Sequence, residues 1–319
     1  MSLHQVSSHD ATPDLPALFG IHSIDHFALQ VPDLEQARHF LHAFGLRLDD
    51  RGDGFDVRAL GDAHRWAHIS PGPAKRLAYL SFNCYAEEFD ALLAQAVAQG
   101  ARIVPAPPQS DAQGFWLHDP DGNLLQIKAG PKTSPYGKEL LQVFNVPAGA
   151  RGALGRAARP KAQPTRLSHV LMFTPDIERA LQFYARVLGL RLSDRSRDIV
   201  AFMHGRHGSD HHLVAFVQDA NKGWHHSAWD VPGIDHIGWG SEQMRDAGYR
   251  EGWGLSQHTL GSNYFYYVRD PWGSFWEYSA HMDYVPAGAH WASGDHPPED
   301  ALYMWGPAMP ACFIENGER

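Results

Sequence analysis

Cysteine is nearly missing from this chain: its 319 residues include only Cys84 and Cys312. Two are too few for a disulfide framework, so a reducing, cytoplasmic setting is expected. No stretch approaches the ~20 consecutive apolar residues that a membrane span needs. The opening residues, MSLHQVSSHDATPDLPALFG, lack the basic start and apolar run of a secretory signal, and none is expected. Positive charge is in deficit, with 27 Lys and Arg against 36 Asp and Glu, a net charge of -9 and no long run of either sign. Nucleic-acid and anionic-membrane partners both depend on clustered Lys and Arg, so neither is expected. A hydrophobic content of 44% with 12% aromatics is that of a globular protein. At roughly 150 residues per domain the length suggests about two domains. What is plentiful is histidine, at 21 residues.

Self-comparison shows a repeat. The segment from His26 to Phe40 lies over the segment from His169 to Phe183, with His, Pro, Asp, Glu, Ala and Phe coinciding. The match resumes at Gly45-Leu-Arg-Leu48 over Gly189-Leu-Arg-Leu192, and again at Phe115–Gly122 over Tyr266–Gly273. Each half opens with a short alternating apolar run and passes through Pro-Asp into a helical pattern. In the second half Ile177, Ala180, Leu181, Tyr184 and Leu188 recur at helical spacing, with Gly189 as the stop. Each half closes with an aromatic-rich strand, an Asp-Pro-x-Gly turn and a returning strand, a hairpin signal. A strand, a helix and several strands, repeated, make an α+β fold of two homologous domains, 21–130 and 165–285. Residues 131–164, rich in Pro, Gly, Ala and Arg, read as a linker whose Arg151, Arg156, Arg159 and Lys161 form a solvated face. The tail, 286–319, is expected either to pack on the second half or to lie free.

Three residues of the second half stand out together: His169 on its opening strand, His226 on a middle strand and Glu277 on the last. Two neutral imidazoles and a carboxylate are the donor set that holds non-haem Fe(II) with positions left open. More than fifty residues separate each from the next, so the fold must assemble the site. The first half is an internal control. There Gln126 lies over Glu277 and Tyr79 over His226, and only His26 survives, so one copy has metal-site residues and the other lacks them. The turn Asp270-Pro-Trp-Gly273 suits a three-residue loop with Gly273 at positive φ, which sets Tyr267 opposite Glu277; a two-residue loop would instead pair Tyr266 with it. His211 adjoins His212 and His225 adjoins His226, and strand alternation alone does not choose within the first pair. Trp224, Trp229, Trp253 and Trp276 are candidates for an aromatic wall around a planar ring, or for plain core.

These residues resemble the type I extradiol catechol dioxygenases of the vicinal oxygen chelate superfamily, over nearly the whole chain from about Ile21 to Tyr284. The stretch from Gly261 to Ser279 is the most specific part. The resemblance implies two domains, each of two βαβββ modules curled around a funnel, the first without metal and the second catalytic. It implies His169, His226 and Glu277 as metal ligands, His212 as the acid–base residue, and His258 and Tyr267 as contacts to substrate oxygens. His211 and His225 are then supporting residues. It further implies Fe(II), with Mn(II) possible, O2 as co-substrate, a small aromatic diol as substrate, cleavage of the ring beside the diol to a yellow 2-hydroxymuconic semialdehyde-type product, and a homo-oligomer. The family's usual Gly-Arg before His258 is here Ser256-Gln257. Other activities of the superfamily, a keto-acid dioxygenase or a glyoxalase-like isomerase, are the alternatives, and a ligand-sequestering resistance protein is a more distant one. The joint presence of His212, His258 and Tyr267 around the three ligands favours extradiol cleavage.

Overall fold

The computed structural model describes residues 18–318 apart from 109 and 154. The opening stretch read above as lacking a secretory signal thus falls outside the described residues up to position 17. The first half contains β1 (Ser23–Val31), α1 (Leu34–Phe44), β2 (Arg47–Arg51), β3 (Gly54–Arg58), β4 (Ala67–Pro71), β5 (Arg76–Cys84), α2 (Phe89–Ala98), β6 (Ile103–Val104), β7 (Phe115–His118) and β8 (Leu124–Ala129). The second contains β9 (Arg166–Thr174), α3 (Ile177–Leu188), β10 (Leu190–Ser196), β11 (Val200–Gly205), β12 (Ser209–Asp210), β13 (Val214–Gln218), β14 (Gly223–Asp230), α4 (Ile234–Asp246), β15 (Gly252–Gln257), β16 (Tyr264–Arg269) and β17 (Phe275–Ala280). After these come β18 (Tyr284–Val285) and the short α5 (Pro298–Ala301).

Each half is built on one eight-stranded sheet, in the orders β2-β3-β4-β1-β5-β8-β7-β6 and β10-β11-β13-β9-β14-β17-β16-β15, with β12 paired separately to β18. The centre of each is an antiparallel pair, β1 with β5 and β9 with β14, flanked by parallel pairs. Each sheet is therefore two βαβββ modules joined edge to edge. Local chemistry sets the helix limits. Asp176 accepts from the Arg179 N–H at 2.9 Å to start α3, and Gly189 closes it at φ 71, a left-handed conformation that favours glycine. The repeat does the same with Asp33 and Gly45.

The core is continuous between the halves. Phe44 of α1 stacks on Tyr278 of β17 with ring centroids 4.0 Å apart, and the Tyr278 hydroxyl donates to the Phe44 carbonyl at 2.8 Å. Trp224, Trp229 and Trp276 gather around Phe27 at 4.8, 6.4 and 6.0 Å. Fully burying such a side chain contributes about 2–3 kcal/mol, so this cluster holds the two sheets together as well as filling them. Buried Arg166 at the head of β9 pairs with Asp210, Asp230 and Glu139, tying β12 and the linker to the central strands. Residues of the linker are not a free face throughout: Arg156 and Arg159 pair with Glu242 and Asp246 of α4. No described helix is long and apolar enough to cross a membrane.

Candidate active site

Three adjacent strands carry His169, His226 and Glu277. Ala228 of β14 pairs with His169 of β9 on one side and Glu277 of β17 on the other, and His226 sits two residues along. All three side chains therefore leave one face of the sheet. Strict alternation would also put Trp224 on that face. It does not, because the β9–β14 register slips between Trp224 and His226, leaving His225 as a bulge residue. A bulge re-aims the side chains that flank it, and here it sends Trp224 into the interdomain core and His226 into the cavity.

The three ligand atoms lie within 4.8 Å of one another, the one such group of His, Cys, Asp and Glu among the described residues. Glu277 Oε2 is 3.3 Å from His169 Nε2 and 3.4 Å from His226 Nε2. Each of the three side chains is anchored by its other polar atom: Glu277 Oε1 accepts from Asn263 Nδ2 at 3.0 Å, His169 Nδ1 meets Ser168 Oγ at 3.2 Å, and His226 Nδ1 meets His225 Nδ1 at 2.7 Å. What stays without a hydrogen bond is Glu277 Oε2 and His226 Nε2, both buried. Leaving such atoms unpaired is costly, and a cation between them removes the cost. The residues fit a divalent metal, with the outer contacts already orienting the donors.

His212, His258 and Tyr267 line the cavity above this group. Tyr267 pairs with Glu277 in the β16–β17 register, and Tyr266 with Tyr278. The reason is the three-residue turn: Asp270 N–H donates to the Ser274 carbonyl at 2.7 Å, with Gly273 at φ 94. The Tyr267 hydroxyl is 3.0 Å from His258 Nε2, while His258 Nδ1 donates to the Leu302 carbonyl at 2.7 Å. A carbonyl only accepts, so Nδ1 carries the proton and Tyr267 is the donor to Nε2. Burial, reinforced by the charge of Glu277, pushes the Tyr267 phenol well up, and burial pushes the His258 imidazole down. Both are neutral.

Of the adjacent histidines, His211 stands behind His212. His211 Nε2 donates to Asp194 Oδ2 at 2.8 Å and its Nδ1 lies 3.1 Å from His212 Nδ1. Burial would raise the Asp194 carboxyl, but bonds from His211 and His296 outweigh it and hold Asp194 below its usual range. The ionised carboxylate fixes the His211 proton on Nε2, so its Nδ1 accepts from His212 Nδ1–H, and His212 Nε2 keeps a lone pair for the cavity. Burial, with the neighbouring His169 and His211, holds His212 well below the ordinary histidine range, so it is neutral. Likewise His225 backs His226, and burial lowers it to about 4.

Sequence reading missed Asn263, Asp194 and the part played by the tail. Neither polar residue carries a distinguishing local signal: Asn263 directly precedes β16 and Asp194 lies within β10. The tail packs on the second half and forms one wall of the cavity with Leu302, Met309, Phe313 and Ile314. Ser256 and Gln257, where a Gly-Arg would be usual, hold it: Ser256 Oγ donates to the Trp305 carbonyl, and the Met304 N–H to the Gln257 carbonyl at 2.9 Å. The cavity has a volume of about 260 Å³ and no Lys, Arg, Asp or Glu among its described lining residues. Of the two readings of the tryptophans, the structure selects core over an aromatic wall. None of Trp224, Trp229, Trp253 and Trp276 lines the cavity; the first, second and fourth fill the interdomain core, and Trp253 stacks behind Tyr267 at 5.8 Å.

The first half has the same backbone and different occupants. Ser81 pairs with His26 and Gln126, and Tyr79 sits two residues along, as Ala228, His169, Glu277 and His226 do. Here the Tyr79 hydroxyl lies 2.9 Å and Arg65 Nη2 3.0 Å from His26 Nε2, while Gln126 Oε1 accepts from Ser81 at 2.7 Å.

A model of the glyoxalase/bleomycin resistance protein/dioxygenase superfamily matches residues 23–127 and 166–278. Metapyrocatechase 2 of Cupriavidus necator is 51% identical over 312 residues, 98% of this chain and 97% of that protein. Among solved structures, homoprotocatechuate 2,3-dioxygenase of Arthrobacter globiformis superposes with a TM-score of 0.73 at 20% identity, covering 97% of this chain and 95% of that one. The Mn(II)-bound glyoxalase of Novosphingobium aromaticivorans superposes with a TM-score of 0.72 at 22% identity, covering 91% and 93%. Because the fold carries both a dioxygenase and a glyoxalase, the fold alone does not select the reaction.

Proposed function

The chain belongs to the glyoxalase/bleomycin resistance protein/dioxygenase superfamily, and on that premise we propose that it is an extradiol ring-cleavage dioxygenase acting on catechol or an uncharged substituted catechol with O2. The observation that carries this reading is the convergence of His212, His258 and Tyr267 on one apolar cavity that reaches His169 and His226, with the buried Glu277 carboxylate grouped with these two. An isomerase has no evident need of that trio. The relative at 51% identity, a metapyrocatechase, supports the same reaction.

His169, His226 and Glu277 would hold Fe(II), or Mn(II), which suits the same donors. When bound, the metal would supply a centre at which the diol and dioxygen are brought together and electrons pass between them. The protein's own part is orientation and proton handling. His212, neutral and with Nε2 bare, takes a proton from a diol hydroxyl and returns it as the O–O bond breaks. His258 and Tyr267 orient the substrate oxygens: the phenol, which stays protonated, turns its hydrogen bond from His258 Nε2 to a substrate oxygen, and the freed Nε2 accepts from a diol hydroxyl. Leu171, Val200 and Phe202 and the tail's Leu302, Met309 and Phe313 close around the ring and exclude water. With no charged lining residue, a substrate carboxylate would be buried without a partner, which favours a neutral ring.

The first domain is read as metal-free, because Arg65 already places a cation beside His26 and Gln126 brings no charge. The unpaired Cys84 and Cys312 support a cytoplasmic setting. The exposed Tyr136, Leu140, Val143 and Phe144 of the linker support a homo-oligomer, which sedimentation of the purified chain would test. The test of function is O2 uptake with the visible spectrum after anaerobic loading with Fe(II) and addition of catechol, 3-methylcatechol or 2,3-dihydroxybiphenyl in air. One yellow product per O2 consumed is expected. No uptake with any diol, despite one iron per chain, would move the chain to another activity of its superfamily.

A further inference from the structure

The C-terminal tail touches the metal group through a chain of two hydrogen bonds. His225 Nε2 is 2.7 Å from the backbone carbonyl of Phe313, and His225 Nδ1 is 2.7 Å from His226 Nδ1. The carbonyl can only accept, so Nε2 of His225 carries a proton. The ring is buried against Phe173, Phe275 and Phe313, at 5.0, 5.7 and 4.8 Å, with no carboxylate on either nitrogen, so a second proton would be an unpaired buried charge. His225 Nδ1 is then a lone pair and accepts from His226 Nδ1–H, which leaves the lone pair of His226 on Nε2, facing Glu277.

We propose that the tail is a working part of the metal centre: through Phe313 and His225 it holds His226 in the one tautomer that can bind metal, so tail docking and metal binding favour each other. The inference rests on the reading that His226 is a metal ligand. Two further observations carry it. The bulge in β14 exists in the repeat as well, where Ala78 occupies the His225 position next to Tyr79, so the half with no ligand at that place also lacks the backing residue. The tail is also seated at the head of β14, where Asn316 Nδ2 donates to the carbonyls of Asn221 and Lys222 at 3.2 Å. Coupling of two sites is reciprocal, so metal must tighten the tail as much as the tail tightens metal.

His225 is a positioning residue, and two substitutions separate its bonds. His225→Phe keeps the ring volume and loses both. His225→Asn puts an amide oxygen where Nδ1 was, keeping an acceptor for His226 while losing the reach to Phe313. The full chain is titrated with Mn(II), free ion being read by electron paramagnetic resonance, and amide exchange across residues 311–316 is followed with and without Mn(II). His225→Phe should weaken Mn(II) binding about 10–100-fold, the usual loss when an outer contact to a metal-binding histidine is removed. His225→Asn should recover most of that affinity. Mn(II) should slow exchange in the tail of the wild type and not in either variant. Unchanged Mn(II) affinity in a folded His225→Phe, or tail exchange indifferent to Mn(II) in the wild type, would overturn the coupling. If His225→Phe does not fold, loss of the Mn(II)-dependent slowing in His225→Asn still supports it, and its persistence overturns it. A wild type that binds no Mn(II) at all would instead remove the metal centre, and the coupling with it.

Discussion

Asp194→Asn changes one atom of the proton path to His212 and leaves the volume alone. Asp194 Oδ2 accepts from His211 Nε2 at 2.8 Å and from Trp291 Nε1 at 3.2 Å, while Oδ1 accepts from His296 Nε2 and the Gly294 N–H, both at 2.9 Å. In the variant one of these positions becomes an NH2. If the amide nitrogen faces His211, it donates where the imidazole donated, and His211 must move its proton to Nδ1. That proton then points at His212 Nδ1, the His212 proton moves to Nε2, and the base loses its lone pair. The contribution at stake is that of general acid–base catalysis, roughly 10²–10⁴ in kcat, or about 3–5 kcal/mol of barrier. If the amide turns the other way, the tail loses the acceptor for Gly294 and His296, and the loss falls on stability, at about 1.5–3 kcal/mol for each bond to a charged group. Steady-state O2 uptake on iron-loaded protein, iron content, KM for catechol and Tm distinguish these. The expected result is a kcat lowered by at least about 100-fold with iron and KM within a few-fold of the wild type. A kcat within about threefold of the wild type, with Tm unchanged, would refute the relay.

Glu277→Gln keeps the bond to Asn263 and removes the charge, so stoichiometric iron binding should be lost with circular dichroism unchanged; full iron and turnover in this variant would sink the ligand set. Gln126→Ala, at the equivalent place of the first half, should leave iron content and kcat unchanged, which metal analysis and O2 uptake check together. A diol bearing a carboxylate, 3,4-dihydroxyphenylacetate, should be cleaved at least about 100-fold less efficiently than catechol, given the several kcal/mol cost of an unpaired buried charge; comparable kcat/KM would mean the cavity wall supplies a cation. Stability should fall in acid. Burial lowers His22 and His225 to about 4 and His204 to about 3, all below the usual 6.5. Between those values and 6.5 the unfolded chain binds protons that the folded chain refuses, so stability rises with pH there and is lost as pH drops from 6.5 toward 4. Each of the three contributes on the order of 3 kcal/mol by pH 4. Thermal melts at pH 7 and 4.5 measure it, and a flat Tm would contradict the burial of these rings.

The duplication, the α3 limits and the ladder partner of Glu277 could be read from residues because each rests on local rules: a repeated pattern, a cap at Asp176 with a stop at Gly189, and a turn whose Gly273 needs positive φ. The second helix of each half was not legible from periodicity. In α4 the sequence carries Gly238 and Gly240, a poor helix signal, and the reason is tertiary: a Cβ on Gly240 would come within 2.6 Å of the Tyr278 ring. The choice between wall and core for Trp224 was likewise not legible. Alternation puts Trp224 beside His226, and only a bulge, invisible in a strand pattern, turns it away. The tail was beyond local rules altogether, since its bonds to His225 and His258 run through the backbone carbonyls of Phe313 and Leu302, which any residue possesses.

The two halves set different side chains on one sheet plan. Their registers agree residue for residue around Ser81 and Ala228, bulges included, so the backbone sets three side chains on one face in either copy. A glutamate at position 126 would put a second carboxylate against Asp111, to which Gln126 Nε2 donates, whereas Glu277 Oε2 has no hydrogen-bond partner. A neutral amide removes the charge, and Gln126 finds bonds to Ser81 and to the Gln113 carbonyl at 2.7 and 3.0 Å. The surviving His26 is met differently, by Asp25 on Nδ1 at 2.6 Å and by Tyr79 and Arg65 at Nε2. Every polar atom that would have faced a metal therefore has a protein partner in the first half. In the second half two of them, Glu277 Oε2 and His226 Nε2, have none. That asymmetry, on one backbone plan, separates a satisfied core from a site held ready for a ligand.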